Sequence, residues 1–166
     1  DWNGQGKFAR LGTSVVEFKK EVRLGLRAAR DVVFHKITVR EITGTGKVDA
    51  GVGSDTASAK ANTIDLLALV DVKRDTIAGE WVRTTEGLTK QGPGTTDKGA
   101  PRLQLPYEPP EGYDFEVEFT AVTDNQLVGQ ILSAQSRAFS WIVAGNTKEA
   151  PTAGFELFDN SPTTTR

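Results

Sequence analysis

Along most of the chain, apolar and polar positions alternate in steps of two, the period of a strand with one buried face. In YDFEVEFTA, Tyr113, Phe115, Val117, Phe119 and Ala121 share one face while Asp114, Glu116, Glu118 and Thr120 share the other. In VRLGLRA, Val22, Leu24, Leu26 and Ala28 alternate with Arg23, Gly25 and Arg27. In VFHKITVRE, Val33, His35, Ile37 and Val39 oppose Phe34, Lys36, Thr38 and Arg40, and the turn residues AARD between these two runs predict a hairpin. SVVEF, DLLALV, GEWVR, PRLQLPY, LVGQILSA, AFSWIV and AGFELF predict further short strands, separated by Gly, Pro, Asn and Asp clusters. SVVEFKKEVRLGLRAAR also scores as a helix, but Gly25 and the β-branched run argue against it. Many short strands and little helix predict an all-β fold, an antiparallel β-sandwich or jelly roll.

The alternation stops at residues 48–62, VDAGVGSDTASAKAN, where small and polar residues predict a flexible linker. The chain is thereby divided into residues 1–47, with three or four strands, and residues 63–166, with about seven. The shorter part is too small to fold alone. Within 166 residues, 37% of them hydrophobic, one sizeable core is the expectation. The 20 basic and 22 acidic side chains are interspersed, which speaks against a nucleic-acid partner. No apolar run approaches the ~18 residues of a membrane span, so no membrane insertion is expected. Without cysteine, disulfides and thiolate metal sites are excluded.

From Trp81 onward, GEWVRTTEGLTK, APRLQLPYEPPEGYDFEVEFTAV, VGQILS and AGFELFD resemble the first half of the concanavalin A-like (LamG-like) jelly roll of the 3-keto-disaccharide hydrolase domain family. EVRLGLRAARDVVFHKITVREI, residues 21–42, resembles the end of the same domain. The likeness lies mainly in strand patterning, and the order of the two halves is reversed. It implies either a circularly permuted sandwich closed within one chain, or a sandwich completed by strand exchange with a neighbour, which builds an open filament. A 15-residue linker spans roughly 20–23 Å r.m.s., enough to cross one end of a sandwich. Cleavage inside each copy of a tandem array would produce a chain that begins and ends mid-domain, with Arg166 at a basic cleavage site. The resemblance implies an extracellular or cell-surface setting. The reading it favours is a non-enzymatic structural or adhesion module, a homo-oligomer or homopolymer whose assembly strands carry Val22, Leu24, Leu26, Phe34, Ile37 and Val39. The alternative is a monomeric carbohydrate-binding or glycoside-hydrolysing domain with a glycan partner.

For that alternative, the candidate catalytic residues are Asp114, Glu116 and Glu118, spaced at i, i+2 and i+4 on one strand face. Neighbouring carboxylates on such a face stand roughly 6.5–7 Å apart, near the lower limit for an inverting glycosidase pair. Related jelly-roll hydrolases carry E-x-D-x-E or E-x-D-x-x-E, whereas here the order is D-x-E-x-E, and a solvated polar face explains the same pattern. Candidate ligand-binding residues on polar faces are Glu116, Gln130, Arg23 and Arg27, although both arginines also suit solvated cross-strand ion pairs. His35 is the single histidine, so it reads as a partly buried structural residue rather than a member of a triad or a histidine metal site. No metal and no cofactor are expected. GTGK at Gly44–Lys47 fails as a phosphate loop because Glu41 stands where the first glycine belongs and Val48 where Ser or Thr belongs. Trp81 and Trp141 read as core aromatics ahead of sugar-stacking platforms.

Overall fold

The computed structural model describes residues 23–29, 31–49, 63–92, 101–122, 127–134, 137–146, 151–158 and 161–162. Within them the chain is almost wholly antiparallel β-structure, as the alternation predicts. The strands are β1 (Gly25–Ala28), β2 (Val32–Thr43), β3 (Lys47–Val48), β4 (Thr63–Asp65), β5 (Thr76–Ala78), β6 (Glu80–Thr84) and β7 (Gly87–Gln91). They continue with β8 (Arg102–Gln104), β9 (Tyr107–Glu108), β10 (Gly112–Ala121), β11 (Leu127–Ala134), β12 (Arg137–Asn146), β13 (Pro151–Phe158) and β14 (Ser161–Pro162). A seven-stranded sheet runs β14-β13-β12-β11-β1-β8-β5, and a smaller sheet runs β10-β2-β7-β6 with β4 also on β2. β3 and β9 form a separate two-stranded ribbon.

β1 and β2 do not form the predicted hairpin. β1 belongs to the large sheet and β2 to the small one, so the chain crosses from sheet to sheet between them. The polar groups a hairpin would use are taken by other strands: Ala29 N–H donates to Leu127 O (2.9 Å), and Asp31 O accepts from Val122 N–H (3.1 Å). The two apolar stripes then face each other across the sandwich. Leu24, Leu26 and Ala28 meet Val32, Phe34, Ile37 and Val39 in one buried cluster that Leu66, Leu69, Trp81, Leu88, Leu103, Leu105, Tyr107 and Val128 complete. Tyr113, Phe115, Val117 and Phe119 pack on it half-buried, while Ala121, predicted for the same face, is exposed at the strand end.

His35 departs from its predicted face. Phe34 pairs with Phe119 and Lys36 with Glu118, so His35 is an extra residue in β2, a β-bulge that shifts the alternation by one position. Phe34 thereby turns into the core against Trp81 and Phe119, at ring-centroid distances of 6.0 and 6.1 Å, and His35 is exposed.

DLLALV is not a strand beyond its first residue. Residues Leu66–Leu69 (α1) and Val72–Asp75 (α2) are single helical turns. Asp65 accepts from Ala68 N–H (3.1 Å), and Asp71 accepts from Lys73 and Arg74 N–H (2.9 and 3.0 Å), so each turn has an aspartate N-cap. Of the predicted linker, Val48 pairs with Tyr107 in the ribbon, and Asp49 N–H donates to Pro106 O (3.0 Å). The rest of it, and the SVVEF segment with Val22, lie outside the described residues.

Candidate functional site

The densest joining of the two parts of the sequence is the seat of β1 and β2. β1 lies between β8 and β11, with Leu26 opposite Leu103 on one side and Gln130 on the other. Leu24 O accepts from Leu105 N–H (2.8 Å), and Ala28 N–H donates to Pro101 O (3.3 Å), extending the contact past both ends of the strand. β2 is flanked by β10 along its whole length, and its other edge is shared by β7 at Val32–Phe34 and β4 at Thr38–Arg40. Each early strand is thus interior to its sheet. Of the assembly residues proposed from sequence, Leu24, Leu26, Phe34, Ile37 and Val39 are all fully buried here.

Polar clamps hold the ends of this seat. Arg23 is 4% exposed, and its guanidinium donates to Glu108 (3.0 Å) and to Asp49. Lys90, at 0% exposure, donates from Nζ to Gly92 O (2.7 Å) and Ala29 O (3.4 Å), closing the sheet-to-sheet crossing. At the far end of β2, Glu41 Oε1 accepts from Tyr107 Oη–H (2.7 Å) and from Gly46 N–H (2.7 Å). GTGK is therefore a turn, with Gly44 at φ 80° and Gly46 passing so close to the Tyr107 ring that a Cβ would stand 2.0 Å from its Oη. Burial, reinforced by the bond to Glu41, pushes the Tyr107 phenol well above its usual value. Tyr113 ties the sheets together, donating to Ser133 O (2.8 Å) and accepting from Ser133 N–H (3.0 Å), and burial raises its phenol too.

Asp114, Glu116 and Glu118 stand on the outer, exposed face of β10. Asp114 is ion-paired with Arg40 and Glu116 with Lys36 (2.7 Å), both from β2. The Lys36 ammonium is held above the ordinary lysine value, chiefly by its hydrogen bond to Glu116. The row ends at Thr120, whose hydroxyl meets His35 Nε2 (2.8 Å) while His35 Nδ1 meets Glu86 O (3.0 Å). These are cross-strand pairs on an open sheet face, an arrangement suited to holding β2 in register.

Glu116, Gln130, Arg23 and Arg27 are not brought together. Glu116 lies on the outside of the small sheet, and Gln130 shares the inward side of the large sheet with its neighbour Leu26. Arg23 and Arg27 alternate with Leu24 and Leu26 and so point to the other side of that sheet, where they are buried at 4% and 6% rather than solvated. Trp81 is a core residue whose Nε1–H donates to Ala78 O (3.0 Å). Trp141 is half-buried and meets Phe155 edge-on at 4.7 Å. Sequence reasoning named Glu41 only as a mismatch to a phosphate loop and did not single out Tyr107, Lys90, Glu108 or Asp49. GTGK reads in the sequence only as a failed phosphate loop, and Tyr107, which joins Glu41 in clamping it, is distant in sequence.

Among the described residues, no group of three or more His, Cys, Asp and Glu side chains is placed to hold a metal ion, and no helix is long and apolar enough to cross a membrane. No protein-family model, curated protein or solved structure matches this chain.

Proposed function

We propose that this chain is a non-enzymatic structural or adhesion module that assembles by β-strand complementation, residues 25–43 of one copy completing the sandwich of another. The observation that carries the reading is the interior position of β1 and β2. Without them, β11 loses its link to β8, and β10 loses its link to β7. Residues 63–158 therefore present two slots that an early segment must fill. The contacts in those slots are the same whether the segment comes from its own chain or from a neighbour, which is the condition for exchange.

The chain reaches far enough to close on itself. Fourteen steps separate Asp49 from Thr63, about 46–50 Å when extended. Asp49 is nine steps, at most about 32 Å, beyond Arg40, which stands about 5 Å from its partner Thr63, so the gap is at most about 38 Å. Closure within one copy competes at an effective concentration of about millimolar, so exchange grows as protein concentration approaches that range. The permuted concanavalin A-like jelly roll and the extracellular setting rest on the resemblance to the 3-keto-disaccharide hydrolase domain family and belong to the same proposal. The glycosidase reading draws no support from the acidic row, because two of its three carboxylates are engaged by Arg40 and Lys36 on an open face.

The test is to unfold the chain in denaturant, refold it at micromolar and at near-millimolar concentration, and measure mass per particle by light scattering with negative-stain imaging. Species larger than 17.9 kDa that increase with refolding concentration, and return to monomer on dilute refolding, are expected. A 17.9 kDa particle at every concentration would overturn the proposal.

A further inference from the structure

The two sheets differ in width, and their alignment shows where the small one stops. β6 lies beside β5, with Trp81 bonded to Ala78, and β10 lies over β11, with Tyr113 bonded to Ser133. The sheets therefore run in the same order, and β12, β13 and β14 extend beyond β10. The inward side of this extension carries Phe139, Trp141 and Phe155. Register places Trp141 opposite Gln130, and Gln130 opposite core-facing Leu26. Phe155 meets both other rings at tilted or edge-on angles, at 4.7 and 5.6 Å, yet it is 49% exposed.

Beside this aromatic shelf runs the outer edge of β10. The strand is ten residues long, and among the described residues it pairs with β2 alone. A strand added at that edge would lie about 4.8 Å from β10 and about 10 Å above the shelf, the ordinary spacings of strands and stacked sheets. Its inward side chains would cover Phe155 and Trp141. Its outward side chains would stand beside Asp114, Glu116 and Glu118, three carboxylates to which β2 opposes two cations, Arg40 and Lys36. Pairing of β10 with β10 of a second copy would set two acidic rows side by side, which is unfavourable.

We propose that the outer edge of β10 and the shelf of Phe139, Trp141 and Phe155 form a strand-docking site for a partner polypeptide. The segment it takes is extended, with apolar or aromatic residues at inward positions and lysine or arginine at outward ones. Main-chain bonds to β10 supply affinity, and the two faces supply selectivity. The site is the same whichever copy supplies residues 25–43, so it stands apart from the complementation reading.

The probe is a fluorescein-labelled nine-residue peptide alternating valine or phenylalanine with lysine, titrated into the full chain, with amide shifts mapped by NMR. Saturable binding is expected, with shifts along Tyr113–Ala121 and at the Trp141 indole. A peptide of equal charge with a central proline should bind at least tenfold more weakly, since it cannot pair as a strand. Phe155→Ala and Glu118→Gln, both at exposed positions outside the Arg40 and Lys36 ion pairs, should each weaken binding about threefold or more while leaving the circular dichroism spectrum unchanged. Absence of saturable binding, equal binding of the proline peptide, or shifts confined to other strands would overturn the proposal.

Discussion

Tyr107 and Tyr113 are the only two tyrosines in the chain, and the fold raises both phenols above their ordinary value. A group whose folded pKa is raised stabilises the fold below its unfolded value, here about 10, and that stability is lost as pH climbs past it. Spectrophotometric titration at the phenolate band should therefore show no step near pH 10 in the folded protein. Both tyrosines should ionise above pH 10, and a step near pH 10 would contradict the burial described for them. Gly46 makes a second residue-scale prediction. A methyl group there would meet Tyr107 Oη at 2.0 Å and Glu108 O at 2.7 Å, so Gly46→Ala should cost on the order of 1–3 kcal/mol in urea unfolding. An unchanged midpoint would mean that the Glu41–Tyr107–Gly46 clamp does not form. The sequence does not show why Gly46 is glycine, because the ring it must avoid is supplied from about sixty positions away. His35 shows the same limit, for alternation assigns it to the core and one bulged residue turns it out to Thr120.

At the scale of elements, several of the predicted strands are the ones the structure contains. LVGQILSA is β11 to the residue, and YDFEVEFTA is β10 apart from its first residue, Gly112. DLLALV failed because leucine and alanine suit either state, and the caps Asp65 and Asp71 decide for helical turns. Asp65→Ala should accordingly cost about 0.5–2 kcal/mol of stability, read from the thermal midpoint. The β1–β2 hairpin failed for a different reason. Two adjacent alternating strands can pair edge to edge or face each other across a core, and their own residues favour both equally. Phe34 lies where the facing arrangement matters most, fully buried between Trp81 and Phe119. Phe34→Ala should destabilise the chain by about 3–5 kcal/mol, whereas in a bare hairpin the same change would cost far less. A loss below 1 kcal/mol would argue against the sandwich position of β2.

For the molecule as a whole, the early segment makes contacts that are remote in sequence. Leu26 pairs with Leu103, 77 positions away (26 to 103), and with Gln130, 104 away (26 to 130). Such topology predicts slow closure, in the range of milliseconds to seconds, which leaves time for a neighbouring copy to fill the slots during refolding. A chain lacking residues 1–47 should show no cooperative unfolding transition, and addition of a separate segment covering residues 23–49 should restore one. Cooperative unfolding of the shortened chain by itself would mean that the slots are closed by other residues. The sequence by itself determined the β class, the positions of most strands, and which side chains are apolar enough to share a core. Those properties follow from local period and composition. Only the tertiary structure decided which edges pair, that Arg23 and Arg27 are buried, that Phe34 rather than His35 turns inward, and that β10, among the described residues, pairs with β2 alone. Each of these depends on what lies opposite a residue in space, and alternation along one strand carries no record of its partner.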